Sequence, residues 1–204
     1  MRDSDRGQAY TLEAFIAGLL VISALLFALQ VTAVTPLSAS TSSQHIENQQ
    51  KSAATGALSA AEKADALKPA ISTMHEEGLF YGDGRHGSYV NDYPPGEFGD
   101  ILNRTFSGRG LAVSVELRYQ DGERSWSRMK MVQRGAPSDH AVTATKSVTL
   151  YDDDRLYEPN GNGGIVVNET NTWGEQDPLG VGGDVNQDSN VYNVVVVEVT
   201  VWRM

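Results

Sequence analysis

The sequence predicts an α+β protein in which the helices come first and an antiparallel sheet comes last. Three observations predict it. An uncharged apolar run covers Ala14 to Thr35, small apolar residues then recur at helical spacing, and strictly alternating segments fill the chain from Leu111 onward. Helix-period followed by strand-period patterning is the signature of an α+β chain rather than of alternating βαβ units. The predicted organisation is a short leader over residues 1–13, a membrane-spanning helix over 14–35, a helical stem over 36–77 and a β-rich head over 78–204.

The apolar run has 22 residues and Gln30 is its one strong polar interruption. A bilayer core about 30 Å thick needs about 20 apolar residues of helix, and in hydrocarbon every backbone group must be bonded within its own segment. A cleaved signal normally carries a shorter apolar region and a small-residue cleavage site, so the run is read as an anchor. Arg2 and Arg6 precede it and the next basic residue is Lys51. The bias of Lys and Arg near the ends of a span then predicts an N-terminus in the cytoplasm and a C-terminal domain outside the cell membrane.

Composition narrows the partners. The net charge is −10, from 26 acidic against 16 basic residues, and only five of the bases are Lys. Nucleic acid is not an expected partner, because phosphate binding needs a basic surface. An acidic, Lys-poor surface suits high salt, where screening removes self-repulsion, and it is also an ordinary acidic surface. The chain has no Cys, which excludes thiol catalysis, disulfides and Cys-ligated zinc.

Arg6-Gly7-Gln8, then Glu13 and the apolar run, form the most informative local pattern. A short charged leader, a Gly and a Glu at the start of an apolar helix resemble the class III signal of type IV pilins and their archaeal relatives. The stretch RGQAYTLEAFIAGLLVISALLFALQ with the Ser/Thr-rich segment after it is similar to uncharacterised pilin-like membrane proteins of halophilic archaea. That resemblance implies cleavage beside Gly7 or Gln8 by a prepilin-type peptidase, with the apolar helix kept on the mature chain. It also implies assembly with other pilin-like subunits, in which Glu13 meets the new α-amine of a neighbour. The family's Glu stands fifth after the cut. Here Glu13 is sixth after Gly7 and fifth after Gln8. Read without the resemblance, Glu13 is an acid at a helix start, where it suits the dipole.

Ile46, Ala53, Ala57, Ala61, Ala64, Leu67, Ile71 and Met74 trace a helical stripe of mostly small side chains suited to close packing. Glu62, Lys63, Asp65 and Lys68 lie off it and are expected in water. Pro36 and Pro69 are expected to kink or interrupt the helix, and the Ser-rich segment 35–44 also reads as a linker. Residues 78–100, with six Gly and Pro94-Pro95, read as a long ordered loop. Its aromatics Phe80, Tyr81, Tyr89, Tyr93 and Phe98 suit either a binding surface or packing onto the sheet.

Strands are predicted over 111–120, 125–133, 141–151 and 191–202, with a short one at 165–167, and Asp121-Gly122 marks a hairpin turn. The last strand carries valines on both faces, which predicts a central strand covered on both sides.

Few residues suggest chemistry. Asp184, Asn186, Asp188 and Asn190 alternate as oxygen ligands do in a calcium loop of the EF-hand type. Ser189 stands where that loop has Gly, however, and Val195 stands where it has Glu, so a polar turn accounts for the same letters. Asp152-Asp153-Asp154 reads as a solvated turn. Asn103-Arg104-Thr105 and Asn168-Glu169-Thr170 are N-glycosylation sequons. His45, His75, His86 and His140 have no metal-like spacing, and no nucleophile or zinc-protease motif is present. The expectation is a non-enzymatic protein without a cofactor, Ca²⁺ being the one ion its letters suggest.

Overall fold

The computed structural model describes residues 3–75, 78–121, 125–175, 180–185 and 187–204, with the side chains of 3–9, 31–43 and 86 left aside. The element order is α1 (Asp3–Lys63), α2 (Leu67–Ile71), α3 (Glu97–Phe106), β1 (Leu111–Gln120), β2 (Trp126–Val132), β3 (Val142–Tyr151), β4 (Arg155–Pro159), β5 (Ile165–Thr172) and β6 (Val191–Arg203). A single 3-10 turn, Arg85–Gly87, lies between α2 and α3. The chain divides into two compact units, 1–46 and 47–204.

In the first unit the segment Tyr10–Gln30 is helical, long and apolar enough to cross a membrane, and none of it is buried. Length and composition are those of a membrane-spanning helix, and a signal sequence near an N-terminus meets the same two conditions.

In the second unit, four strands form an antiparallel sheet in the order β2-β1-β6-β3, and β4 and β5 form a separate hairpin. Alternation decides which side is buried. Val195, Val197, Val199 and Val201 of β6 and Val113, Val115 and Leu117 of β1 are almost wholly buried on one face. The last turns of α1 present Ala54, Ala57, Leu58 and Ala61 to the same core, joined by Leu67, Ala70 and Ile71 of α2. Small side chains let a helix lie close to a sheet without gaps, and interior packing tolerates few voids. Polar pairs edge the packing: Lys146 on β3 forms a salt bridge with Glu62 at 2.7 Å, and His140 Nδ1 is hydrogen-bonded to Glu47 at 3.0 Å.

The predicted stripe is mostly correct, with two differences. Ala54 and Leu58 are buried although the predicted stripe omits them, and Ala64 is exposed. Ala54 and Leu58 directly follow Ala53 and Ala57 and widen the same helical face, whereas Ala64 is exposed because the helix breaks earlier than predicted. Asp65 adopts φ 49°, which ends α1, and Pro69 then sits in the first turn of α2, where a missing N–H costs nothing. Pro36 does not interrupt the helical assignment of α1. Lys68, expected in water, instead bonds Asp154 at 2.7 Å and lies over the Tyr151 ring.

Strand β6 is central, as predicted, but it is not covered on both sides. Val194 is 41% exposed, and the outer face is polar, with Arg118 3.8 Å from Glu198 and Arg128 3.7 Å from Glu116. Paired charges of this kind keep a solvated face soluble and add little stability. Its inner valines alone require the helix cover. Strand β4 and helix α3 were not predicted. The latter occupies the end of the segment read as a loop, and buries Phe98, Ile101, Leu102 and Phe106.

A buried network closes the far end of the sheet. Asn193 Nδ2 donates to the Gln120, Val181 and Gly183 carbonyls, and Tyr192 Oη donates to the Gly182 carbonyl. Trp173 stacks on Tyr192 with ring centres 5.2 Å apart and donates Nε1–H to Ser72 Oγ at 3.0 Å. Each bond satisfies a group that would otherwise be buried unpaired.

The close helix-to-sheet approach has a direct test. Ala61 has no exposed surface, so Ala61→Leu is expected to destabilise the chain by about 1–3 kcal/mol through overpacking. Urea unfolding of the full chain in detergent, followed by tryptophan fluorescence, measures it, and a substitution without effect would mean that the helix does not rest on the sheet.

Candidate binding cleft

The glycine-rich segment after α2 folds back on itself through short main-chain bonds. Gly82 N–H donates to the Gly87 carbonyl at 2.7 Å and Gly84 N–H to the Ser88 carbonyl at 2.8 Å. Gly87 has φ 71°, and a Cβ there would overlap the Phe80 carbonyl, so the turn needs glycine twice over. The segment then joins the sheet. Tyr89 N–H donates to the Met131 carbonyl at 2.8 Å and Gln133 N–H to the Tyr89 carbonyl at 2.9 Å, which adds a bridge beside Val132 of β2.

Beside this bridge lies an open cleft of about 870 Å³. Its walls come from three places, and Arg134 just past β2 reaches in from a fourth. One is the loop itself, with Tyr81, Tyr89 and Tyr93. The second is one face of α3, with Asp100 and Asn103, and Ser107 just past its end. The third is the β4–β5 turn at Pro159, Gly161 and Gly163. Main-chain bonding fixes these walls to one another, since Gly96 N–H at the start of α3 donates to the Gly163 carbonyl at 2.9 Å. Asn160 Oδ1 accepts from Asn162 and Gly164 N–H at 2.9 and 3.0 Å and holds the β4–β5 turn. A Cβ at Gly99 would overlap the Pro94 carbonyl, so α3 starts tight against the loop.

The polar groups of the cleft are held in place. Asp83 accepts from Val90 N–H at 3.4 Å and from Asn91 Nδ2 at 2.9 Å. These bonds, with that to Val90 foremost, hold its carboxyl below the usual aspartate range. Arg134 donates to the Asn91 carbonyl at 3.0 Å, and its guanidinium lies 4.5 Å from the Tyr93 ring centre. Tyr89 forms the floor. It is 6% exposed, and burial pushes its hydroxyl up to about 12. That hydroxyl closes no hydrogen bond among the described residues, although the Tyr81 main chain approaches it. Tyr81 stacks on His75 with ring centres 3.7 Å apart and separates this cleft from a second one of about 750 Å³ lined by Met74, Leu156 and Asn168. The loop aromatics therefore divide their work: Phe80, Tyr89 and Phe98 are buried, while Tyr81 and Tyr93 stay half-exposed in the cleft wall.

The other candidate residues lie apart from the cleft or at its edge. Gly7 and Gln8 fall in the first turns of α1, with their side chains outside the described ones, and Glu13 is exposed on the apolar segment. Asn103 is exposed on α3 at the rim of the cleft. Asn168 on β5 is half-buried, donates Nδ2–H to Glu158 at 2.7 Å and accepts from Thr170 N–H at 2.9 Å. Asp184, Asp188 and Asn190 lie in the segment that leads into β6, and Asn186 lies outside the described residues. Asp152 stands near Asp184, and burial, then the charges of Asp184 and Asp153, push its carboxyl up. Among the described residues no group of three acidic or histidine side chains converges on a point that could hold a metal ion. Asp100, Ser107 and Arg134 carry no sequence motif. The amphipathic spacing of Phe98, Ile101, Leu102 and Phe106 is the signal that would have placed α3, and with it the cleft wall.

Fold and cleft together define an α+β protein with an exposed apolar N-terminal helix, an antiparallel sheet and a polar, tyrosine-lined cleft. The chain belongs to the family of unknown function DUF7288, whose model matches residues 6–201. No curated protein matches it, and no solved structure does.

The loop geometry yields one expected outcome. Gly87→Ala is expected to open the turn around Phe80 and destabilise the chain by about 1–3 kcal/mol, from forced φ and steric overlap. Amide hydrogen exchange localises the effect, and faster exchange at Gly82, Gly84 and Tyr89 with the β1–β6 pair unchanged is the predicted pattern.

Proposed function

We propose that this chain is a pilin-like subunit of an archaeal cell-surface assembly, anchored by its N-terminal helix and presenting the β-rich domain outside the cell. The observation that carries the reading is that one helical assignment, Asp3–Lys63, contains both the wholly exposed apolar segment and the alanine face buried in the core of the second unit. In this reading the helix is at once anchor, stem and part of the folded domain, so it is retained rather than removed as a signal.

Glu13 supports the same reading. On the helix surface it stands among Leu12, Ile16, Ala17 and Leu20. A charge among apolar groups at the edge of hydrocarbon is costly unless paired. The α-amine that cleavage beside Gly7 or Gln8 exposes on a neighbouring subunit is such a partner. Ala14, Ala17, Gly18, Ala24 and Ala28 permit helices to approach closely in an assembly. The role is structural, with no catalytic step, and a prepilin-type peptidase is the processing partner.

A second reading has its own observation. The preformed cleft suits a ligand-binding ectodomain on a single-pass anchor that never assembles, and it requires no processing.

Mass spectrometry of the N-terminal peptide from membranes of the native host separates the two. A mature chain starting at Gln8 or Ala9 with the apolar helix retained is the expected result. A chain starting at Met1 or Arg2 would overturn the processed-subunit reading in favour of the simple anchor. A start beyond Thr35 would make the apolar segment a removed signal and overturn both.

A further inference from the structure

The cleft beside α3 has a chemical character of its own, independent of whether the chain assembles. It is polar and lightly acidic: Asp83, Asp92 and Asp100 stand against Arg134 among its lining residues. Phosphates, sulfates and carboxylate ligands are therefore repelled rather than gathered. It is also unsuited to a lipid or other wholly apolar ligand, because carboxylates and amides alternate with its rings. What remains complementary is a neutral molecule with many hydroxyls and weakly apolar faces.

We propose that this cleft binds a neutral carbohydrate chain. The half-exposed rings of Tyr81 and Tyr93, each met on one side by His75 or Arg134, offer the side turned to the cleft as a flat apolar surface against which the C–H face of a sugar ring packs. Asp92, Asp100 and Asn91 are exposed around them and accept or donate hydrogen bonds in the plane of the sugar hydroxyls. The site is largely preformed. The glycine turns, the Tyr89 bridge to β2 and the Gly96–Gly163 bond fix its walls before a ligand arrives, and a preformed site loses little ordering entropy on binding. A volume of about 870 Å³ lies within the range of small-molecule sites.

The same chemistry has two sources. One is a polysaccharide from outside, bound reversibly. The other is a glycan on the chain itself, for Asn103 of the sequon Asn103-Arg104-Thr105 is exposed at the cleft rim. In that case a lipid-phosphate-linked oligosaccharide is the donor. A bond forms from Asn103 Nδ2 to the sugar C1, the C1–O bond to the lipid phosphate breaks, the lipid phosphate leaves and one amide proton is lost to base. Because α3 is folded with Thr105 Oγ1 donating to the Ile101 carbonyl at 2.7 Å, the transfer precedes folding of this helix. The attached chain then lies back across the tyrosines.

The experiment uses the full chain purified in detergent from the native host, beside Thr105→Ala from the same host, which removes the sequon without touching the cleft lining. The probes are maltotriose, triacetylchitotriose and neutral oligosaccharides released from the host's own surface glycoproteins, with trigalacturonate as the anionic control. Saturation-transfer NMR reads binding. The expected result is that Thr105→Ala binds at least one neutral probe, that trigalacturonate does not bind, and that Asp92→Ala with Asp100→Ala weakens binding about tenfold, as loss of hydrogen bonds to charged groups does. Both aspartates are at exposed positions and their replacement leaves the core intact. If the natural chain binds as Thr105→Ala does, the ligand comes from outside. If the natural chain carries a sugar mass on the Asn103 peptide and binds no probe until the sequon is removed, the glycan is its own. Absence of neutral-sugar binding by Thr105→Ala, binding indifferent to the two aspartates, or equal binding of trigalacturonate would each overturn the proposal.

Discussion

A helix can lie against a twisted sheet at close range only if its facing side chains are small and the sheet offers a continuous apolar face. Both conditions meet where Ala54, Ala57, Leu58 and Ala61 share one core with Val195, Val197, Val199 and Val201. The rest of the second unit depends on that contact. Strand β6 follows the other strands in sequence and lies between β1 and β3, so the sheet is incomplete until β6 is in place. The helix that covers it comes from the other end of the sequence. Folding of the domain is thus a long-range event, and the loops, α3 and the β4–β5 hairpin are arranged around a core that joins the chain's beginning to its end.

That arrangement gives the cleft its position. The glycine-rich segment leaves α2, which is buried in the same core, and is pinned to the edge of the sheet by Tyr89. Its bonds to the loop and to the β4–β5 turn hold α3 where Asp100, Asn103 and Ser107 line one wall. The tyrosines left half-exposed between these walls are the part of the loop not consumed by packing. The carbohydrate proposal therefore rests on what remains after the fold has used its aromatic residues, and the pilin-like proposal rests on the helix that completes the core.

Much of the fold was legible in the sequence because it follows local periods. The alternation of β1 and the stripe from Ala53 to Met74 each report burial within a few residues of themselves, and the uncharged run around Leu19–Leu29 reports a long apolar helix. The errors arose where burial is decided at a distance. Valines on both faces of β6 suggested two covers, yet Val194 and Val196 face a solvated side on which Glu198 of β6 pairs with Arg118 of β1, and Glu116 of β1 pairs with Arg128 of β2. Helix α3 was hidden by the Pro and Gly residues just before it, and β4 by the acidic turn that precedes it. The cleft was legible only as loose aromatics. Its walls come from residues near 81–93, 100–107, 134 and 159–163, which no spacing rule connects.

The claim on which the functional account most depends is that the second unit is held outside the cell by an apolar helix that stays on the chain. The absence of native cysteine makes this directly measurable. Ser147→Cys lies on the exposed outer face of β3, and a membrane-impermeant maleimide applied to intact cells reads its side of the membrane. The account predicts labelling in intact cells, with the labelled protein recovered in the membrane fraction. Labelling that appears only after lysis, or labelled protein recovered in the medium without its apolar helix, would contradict it.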